Sequence, residues 1–379
     1  MKTRHVLALV LLLLVVAGVG GYFVSRPTAP PAAPAPVVHD YDKYDYGRGD
    51  EAKVIDIGAQ PLSINDSLFV ESLFHDRILQ QQLNAEGWKL RWHGFTSGGD
   101  MRPYIDGRLD FMILGDVPAI ISMQKQLVGT YMLHTAGNVL VIARNKKTVS
   151  ELKGLRVGYP PKTTAHFGLE RALLTANLTM DDIVSIPLKA NELAAALLDN
   201  KVDAVAIWDT IAVKILADVP GSSVVYSADS YSYVVADKDF ASRHPQLLRA
   251  VLAAFFRATH WGKLEEEHTR SMLVWVRQTQ IEYAGKSSFE VNEKWIKFIR
   301  DDALRFPSFP LLPLDIRDEQ KGSMFKRFEF LKRNGILPAN AEWGKVSERT
   351  DTALLPEIIR EGEKWRITRF DYAPDRLYR

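Results

Sequence analysis

The chain of 379 residues contains no cysteine, and its 48 lysines and arginines nearly balance its 46 aspartates and glutamates. Without cysteine, disulfide bonds, thiol catalysis and cysteine-ligated zinc sites are excluded. A formal net charge of +2 gives no electrostatic reason to expect a nucleic-acid partner. We expect no cofactor and no metal site.

Several common catalytic motifs are also missing from the sequence. It has no HExxH, no GxSxG and no Walker-type glycine loop, and its nine histidines are scattered. An enzyme needs an assembled set of nucleophile, base or metal ligands. The sequence therefore favours a binding protein over an enzyme, with an extracytoplasmic hydrolase as the less favoured alternative.

The first 26 residues combine a basic start with a long apolar run over residues 6–24. This pattern is typical of an export signal whose basic end stays in the cytoplasm. A run of roughly 19 residues can span a bilayer, so its length favours an uncleaved anchor over a cleaved signal peptide. We expect the rest of the chain to be periplasmic, or otherwise extracytoplasmic, and tethered to the inner membrane.

Residues 27–50 are predicted to form a linker. Its first part, PTAPPAAPAPVV (27–38), is rich in proline and alanine, which favours an extended segment without a core. About 325 residues remain, enough for two lobes of ordinary size. Their composition, within a chain that is 46% hydrophobic and 25% charged, indicates a globular protein.

From residue 53 onward, short apolar runs alternate with helical periods. The first pass predicts strands at 54–57, 90–95 and 111–114, with helices at 68–83 and 101–105. The second pass predicts strands at 155–158, 183–187 and 204–207, with helices at 166–176 and 192–198. Such alternation predicts an α/β fold with parallel sheets and covering helices. From Pro245 the chain is mostly helical, and we expect this region to buttress the first lobe.

The two passes resemble each other in sequence. GRLDFMILGDVPAI (107–120) aligns without a gap with NKVDAVAIWDTIAV (200–213), and IDIGAQPLS (55–63) corresponds to LRVGYPPKT (155–163). The alignment predicts two similar lobes, each presenting three strand ends to one cleft, where ligands of such sheets bind. We expect lobe 1 to comprise 53–143 and 235–379, lobe 2 to comprise 144–234, and the lobes to close by hinge motion.

Three segments carry a family resemblance: FTSGGDMRPYIDGRLDFMILGDVPAI, VSELKGLRVGYPPKTTAHFGLERAL and LLDNKVDAVAIWDTIAVKI. Their order resembles the nitrate/sulfonate/taurine group of ABC-transporter periplasmic substrate-binding proteins. The resemblance implies a two-lobed periplasmic-binding-protein fold of type 2 that delivers a small-molecule ligand to an ABC permease in the inner membrane. We expect the protein to be a monomer. The same architecture also binds pyrimidine precursors of thiamine, so the ligand does not follow from the fold.

The stretch after the fourth predicted strand is the first candidate binding segment. Helix N-termini leave backbone N–H groups unpaired and attract anions. The resemblance implies that this helix start meets the polar head of the ligand through Lys162, Thr163, Thr164 and His166. From the residues alone, a threonine N-cap with His166 facing solvent is the alternative.

The other candidate ligand-binding residues lie at strand ends: Ser63, Ser97, Gly98, Gly99, Gly115, Asp116, Trp208 and Asp209. Gln60 and Asn65 are weaker candidates beside Ser63. Glycines there allow a ligand to approach the backbone closely. The alternatives are a helix-capping role for the aspartates and core packing for Trp208.

Three aspartates leave the charge of the ligand open. Asp100, Asp116 and Asp209 near one cleft would repel a sulfonate unless helix caps use their charge. We predict a small anion of the sulfonate, taurine or nitrate type. The alternatives are a thiamine-precursor pyrimidine or another cationic or neutral heterocycle, or an anchored sensory module, which the long charged C-terminal extension leaves room for.

Overall fold

The computed structural model describes residues 53–105, 108–301, 303–304 and 310–378. The predicted signal or anchor and the predicted linker, residues 1–50, lie outside them. Within the described part of the chain, no helix has both the length and the apolar character needed to cross a membrane.

In the described part of the chain, eight strands form one sheet in the order β2-β1-β3-β8-β4-β7-β5-β6. The strands are β1 Val54–Ala59, β2 Lys89–Gly94, β3 Phe111–Gly115, β4 Val128–Arg144, β5 Arg156–Tyr159, β6 Val184–Pro187, β7 Ala204–Trp208 and β8 Ser222–Asp237. β1 pairs in parallel with β2 and β3, and β5 pairs in parallel with β6 and β7. We call these two groups, with their helices, the first half and the second half.

The centre of the sheet is antiparallel. β4 and β8 pair with each other along most of their length, while β8 also pairs with β3 and β4 with β7. The strands predicted from the apolar runs include neither of these two, because glycine, threonine and asparagine interrupt the apolar pattern in the first part of β4. Both connections between the halves are therefore long paired strands.

Among the described residues, seven α-helices follow the parallel strands: α1 Ile64–His75, α2 Arg77–Ala85, α3 Gly98–Met101, α4 Asp116–Lys125, α5 Thr164–Thr175, α6 Leu193–Leu198 and α7 Asp209–Asp218. Eight more of the described α-helices follow β8: α8 Lys238–Arg243, α9 Pro245–Leu264, α10 Glu266–Ala284, α11 Glu293–Asp301, α12 Ser323–Arg333, α13 Trp343–Glu348, α14 Leu354–Arg360 and α15 Gly362–Trp365.

The single helix predicted over 68–83 is in fact two helices, α1 and α2, separated by Asp76. The Asp76 carboxylate accepts hydrogen bonds from the backbone N–H groups of Ile78 and Leu79, as an N-cap does. It also pairs with Arg257 of α9 at 2.6 Å, and both side chains are almost fully buried. Arg257 donates in turn to the carbonyl of Trp365.

The internal repeat seen in the sequence is also present in the hydrogen bonds. Asp110, just before β3, accepts from the backbone N–H of Asp56 in β1 at 2.8 Å. Asp203, just before β7, accepts from the backbone N–H of Arg156 in β5 at 2.9 Å. The sequence alignment pairs the same residues, so the two halves are built on the same local plan.

The helices after β8 contact both halves, whereas the sequence predicted support of the first alone. α9 and α10 pack with α1 in the main hydrophobic core. α12 packs against α4 of the first half. It also reaches α5 of the second half, where the Phe330 ring lies 5.1 Å from that of Phe167 and Arg333 pairs with Glu170 at 2.9 Å.

Candidate functional site

One cavity lies at the carboxyl ends of the parallel strands of both halves. Its volume is about 1010 Å3 with the part open to solvent included, and residues after all six parallel strands line it, together with residues of β4 and β8. Nine of the twelve predicted ligand-binding residues are in the lining: Ser63, Ser97, Gly98, Gly99, Gly115, Lys162, Thr163, Thr164 and Trp208.

Four of the longer helices begin at this cavity. α1, α4, α5 and α7 start directly after β1, β3, β5 and β7, and residues from the start of each line the cavity. The first turn of a helix leaves its N–H groups without intrahelical partners and carries a partial positive charge. The arrangement therefore offers backbone donors from both halves to a small polar or anionic ligand.

The two halves touch at the cavity. A Cβ atom added to Gly115, at the end of β3, would lie 3.1 Å from the hydroxyl oxygen of Thr164 at the start of α5. Glycine at this position therefore lets the two helix starts approach each other. Trp208, from the second half, lines the same cavity.

The threonine hydroxyl protons at the start of α5 are used inside the protein. Thr163 is the N-cap: its hydroxyl accepts from the N–H of His166 at 3.4 Å and donates to the carbonyl of Pro160 at 2.7 Å. The Thr164 hydroxyl donates to Asp116 at 2.6 Å. The hydroxyl protons of both threonines are thus donated to oxygen atoms of the protein itself.

His166 does not line the cavity. Its ring packs 4.8 Å from Tyr159 and 5.3 Å from Phe330, and its Nδ1 accepts from the N–H of Lys162. Burial lowers the pKa of His166 to about 4, so the ring is neutral at neutral pH. Helix periodicity turns the His166 side chain toward α12, away from the cavity in which its contact with a ligand was predicted.

Asp116 is also absent from the lining. Its side chain is fully buried, and its carboxylate pairs with the guanidinium of Arg327 from α12. It further accepts hydrogen bonds from Thr164 and from the N–H of Val117. The N-cap of α4 is Gly115, so the predicted capping role is wrong as well. The negative charge of Asp116 is neutralised within the protein.

Arg327 is the residue that the sequence analysis missed here. Besides Asp116, it donates to the carbonyl of Asp229 in β8 at 2.9 Å and lies over the ring of Phe167 at 4.8 Å. It therefore joins α12 to α4, β8 and α5. A single arginine some 200 residues from its partner carries no local sequence signal.

The other two aspartates differ from each other. Asp100 is tied into the start of α3, where the Ser97 hydroxyl accepts from its N–H and donates to its carboxylate at 3.1 Å. Asp209 is the first residue of α7, and its side chain lies outside the described part of the structure. Trp208, the N-cap of that helix, is half-buried: it packs against the second-half core and also lines the cavity.

Asp66 is the carboxylate that does line the cavity, and the sequence analysis did not single it out. It is 6% exposed and lies in the first turn of α1. Burial raises its pKa to about 6, against opposing hydrogen bonds with Ser63 and Ser232. In sequence it is indistinguishable from an ordinary acidic residue at a helix start.

Other polar residues of the lining were missed as well: Thr96, Asn191, Ser230 and Ser232. Ser230 and Ser232 lie in β8, where the alternation Ser-Tyr-Ser-Tyr was the available signal. Among the described lining residues, Asp66 and Lys162 carry charge. Among the described residues of the chain, no three His, Asp or Glu side chains are grouped to hold a metal ion.

The sequence matches known families and proteins. Residues 125–264 match the NMT1/THI5 like family. The chain is 28% identical over 200 residues to the aliphatic sulfonates-binding protein of Escherichia coli K12, covering 49% of this chain and 61% of that protein. It is 22% identical over 204 residues to the taurine-binding periplasmic protein of the same organism, covering 51% and 62%. The chain thus matches less than two thirds of either relative.

The fold is similar to that of solved sulfonate-binding proteins. The crystal structure of the periplasmic aliphatic sulphonate binding protein of Escherichia coli superimposes with a TM-score of 0.60 at 21% identity, over 78% of this chain and 92% of that one. The family resemblance and the two-lobed fold predicted from the sequence are confirmed. These relatives are binding proteins, which agrees with the expectation that this chain is a binding protein rather than an enzyme.

Proposed function

Since this chain is homologous to sulfonate- and taurine-binding periplasmic proteins, we propose that it is the solute-binding component of an ABC importer. In this proposal the chain works outside the cytoplasm, captures a small sulfonate-type anion between its halves and delivers it to a permease. Periplasmic relatives support that location. The observation that carries the proposal is the convergence of four helix starts on one cavity.

The charges on the second-half side of the cavity support an anionic ligand. Arg327 neutralises Asp116, and neither Asp116 nor Asp100 is in the lining, so two of the three aspartates that left the charge of the ligand open do not face the cavity. Lys162 and the start of α5 supply positive potential from the second half. A sulfonate would accept hydrogen bonds from first-turn N–H groups, and Trp208 would cover its apolar part.

Binding rather than hydrolysis fits the cavity chemistry. Ser63 and Ser97 act as helix caps, and the described lining residues contain no histidine that could activate a serine. Incubating candidate sulfonate esters with the protein and assaying products tests this directly. Turnover above the uncatalysed rate would overturn the binder assignment.

A thermal-shift screen of sulfonates, nitrate, bicarbonate, thiamine precursors and amino acids tests the ligand class. We expect a sulfonate to raise the melting temperature, because a ligand that binds the folded state alone stabilises it. We also expect it to quench tryptophan fluorescence, with the quenching lost in Trp208→Phe and retained in Trp343→Phe, since Trp343 packs against α12 away from the lining. A response to cations or heterocycles alone would contradict the anion assignment.

An anchored sensory module is the alternative. It would bind its ligand in the same cavity but would act on a signalling partner instead of a permease. Uptake of a labelled sulfonate by cells that lack this chain distinguishes the two. We expect uptake to fall and to return when the chain is supplied again. Unchanged uptake, with sulfonate-dependent gene expression lost, would favour the sensor.

A further inference from the structure

A side-chain hydrogen bond joins the two halves directly beside the cavity. Its donor is the hydroxyl of Thr164, the first residue of α5 in the second half. Its acceptor is the carboxylate of Asp116, the first residue of α4 in the first half, at 2.6 Å. Thr164 is 2% exposed and Asp116 is 0% exposed, so this bond is shielded from water.

The accepting carboxylate is held in place by elements other than α5. Oδ1 of Asp116 also accepts from the N–H of Val117 in its own helix, and Oδ2 pairs with Arg327 of α12. Arg327 in turn donates to the carbonyl oxygens of Ser323 at 3.0 Å and of Asp229 in β8 at 2.9 Å. If the halves separate, the carboxylate stays with these partners and its bond to Thr164 breaks.

The strength of this bond follows from its acceptor and its surroundings. A hydrogen bond to a charged acceptor is stronger than one to a neutral acceptor, and exclusion of water strengthens it further. Gly115 leaves the room that the bond needs, since a Cβ atom there would lie 3.1 Å from the Thr164 hydroxyl oxygen. The two helix starts are therefore built to meet at this point.

We propose that Thr164 and Asp116 form a latch that holds the cleft closed and sets how fast a bound solute leaves. This inference rests on the solute binding proposed above and adds a control of release in which Asp116 does not touch the solute. A solute held between the halves leaves after the cleft has opened, and opening requires this bond to break. The latch also favours the closed arrangement when no solute is bound.

Distance measurements on the ligand-free protein test the latch independently of any ligand. Spin labels on Leu127→Cys, just beyond α4, and Leu198→Cys, at the end of α6, report on the two halves, because both residues are exposed and the chain has no other cysteine. We expect Thr164→Val, which removes the hydroxyl and keeps the shape, to shift and broaden the distance distribution. Thr164→Ser, which keeps the hydroxyl, should retain the wild-type distribution.

Thr163→Val is the matched control on the preceding residue. The Thr163 hydroxyl donates to the carbonyl of Pro160, so this bond stays within the second half. Its loss should leave the distance between the labels unchanged. An unchanged distribution in Thr164→Val, or an equal shift in Thr163→Val, would overturn the inference. If Thr164→Val does not fold, Thr164→Ala removes the same hydroxyl with a smaller side chain.

Stopped-flow fluorescence of Trp208 measures the release of a bound sulfonate. We expect Thr164→Val to raise the dissociation rate constant about tenfold, as the loss of one hydrogen bond to a charged group predicts. The association rate constant should not fall, because the open cleft is the form that the solute enters. An unchanged dissociation rate would count against control of release by this bond and overturn the inference.

A comparison in a second background separates the latch from a direct contact of Thr164 with the solute. Where Arg327→Met and Asp116→Asn remove the ion pair and the charged acceptor, Thr164→Val should change the dissociation rate less than it does in the wild type. Equal changes in both backgrounds would mean that Thr164 acts by touching the solute, which contradicts the inference. If no sulfonate binds but Thr164→Val shifts the distances, the proposed function fails and the closing role of the bond is supported.

Discussion

At the scale of single residues, burial decides which carboxylates of this protein can meet a ligand. Asp116 sits at a strand end, where a ligand contact was predicted, yet Arg327 and Thr164 enclose it. Asp66, which looks like an ordinary acidic residue at a helix start, faces the cavity instead. The charge that the cavity presents to a ligand thus depends on side chains from distant parts of the chain.

Asp66 should make stability depend on pH in an unusual direction. Its pKa is raised from 3.8 to about 6, so the folded state favours the protonated form. The contribution to the free energy of unfolding is fully present below pH 3.8 and is lost as pH rises through about 6. In Asp66→Asn this loss is absent, so the variant gains on the wild type by up to about 3 kcal/mol between pH 4 and pH 7.5.

Urea denaturation of both proteins at pH 4, 5, 6 and 7.5 measures this difference. Asp318→Asn is a suitable control, because Asp318 is exposed and its pKa is lowered by backbone hydrogen bonds. The difference in the free energy of unfolding between that control and the wild type should be small and should change with pH in the opposite direction. A wild-type minus Asp66→Asn difference that stays constant with pH would contradict the prediction.

The sequence predicted those residues of the cavity lining that follow the ends of parallel strands. Nine predicted residues line the cavity because the carboxyl ends of parallel strands meet at one edge whatever their side chains do. His166 and Asp116 departed from the prediction because tertiary partners on α12 enclose them. Ser230 and Ser232 were missed because they lie in a crossing strand rather than at a strand end.

At the scale of elements, the parallel strands were recognised from their apolar runs, while the crossing strands were underestimated. β4 and β8 carry small and polar residues in their middle, where they line the cavity. These residues interrupt the apolar runs, so the full length of either strand could not be recognised from the sequence. The break between α1 and α2 was missed for another reason. Asp76 sits within an apolar helical period, and only the hydrogen bonds that its carboxylate accepts from the N–H groups of Ile78 and Leu79 show that it caps a new helix.

The contact of α12 with α4 and α5 depends on the buried ion pair between Arg327 and Asp116. Arg327→Met removes the cation and leaves a buried carboxylate, which should destabilise the protein by about 3–5 kcal/mol. The double variant Arg327→Met with Asp116→Asn should recover part of that loss, because no uncompensated charge remains. Chemical denaturation of the three proteins measures both effects.

Arg333→Met is the matched control on the same helix. Its pair with Glu170 also links α12 to α5, but the Arg333 side chain is 61% exposed. Exposed ion pairs contribute about 1 kcal/mol or less. If Arg333→Met cost as much as Arg327→Met, burial would not be the cause of the difference.

At the scale of the whole molecule, two parallel half-sheets are joined by a pair of long antiparallel strands. Register shifts interrupt the β4–β8 pairing at Thr130/Met132, Leu133/Thr135 and Val141/Ile142. Such irregularities bend and twist a strand pair locally. Relative motion of the halves is therefore expected to be a bending of this ladder, since no flexible loop lies between them in the described region.

The absence of cysteine makes this motion measurable. Leu127 and Leu174 are exposed residues, one just beyond α4 and the other on α5, so replacing both with cysteine provides a single pair of spin-label sites. We expect a bound sulfonate to narrow the measured distance distribution. Phe330→Ala should broaden it without ligand, because it removes ring contacts of α12 with His166 and Phe167.

A labelled Leu174/Leu216 pair, with both sites in the second half, serves as a reference. Its distance distribution should respond to neither the solute nor Phe330→Ala. Equal broadening of both pairs would mean that Phe330→Ala loosens the fold generally rather than the contact between the halves.

The position of α12 has a mechanical consequence. Phe330 of α12 packs on Phe167 of the second half, while Arg327 of the same helix pairs with Asp116 of the first. Widening the cleft would therefore either expose the two rings to water or separate the buried ion pair, and both changes cost free energy. We expect α12 to favour the closed arrangement of the halves for this reason.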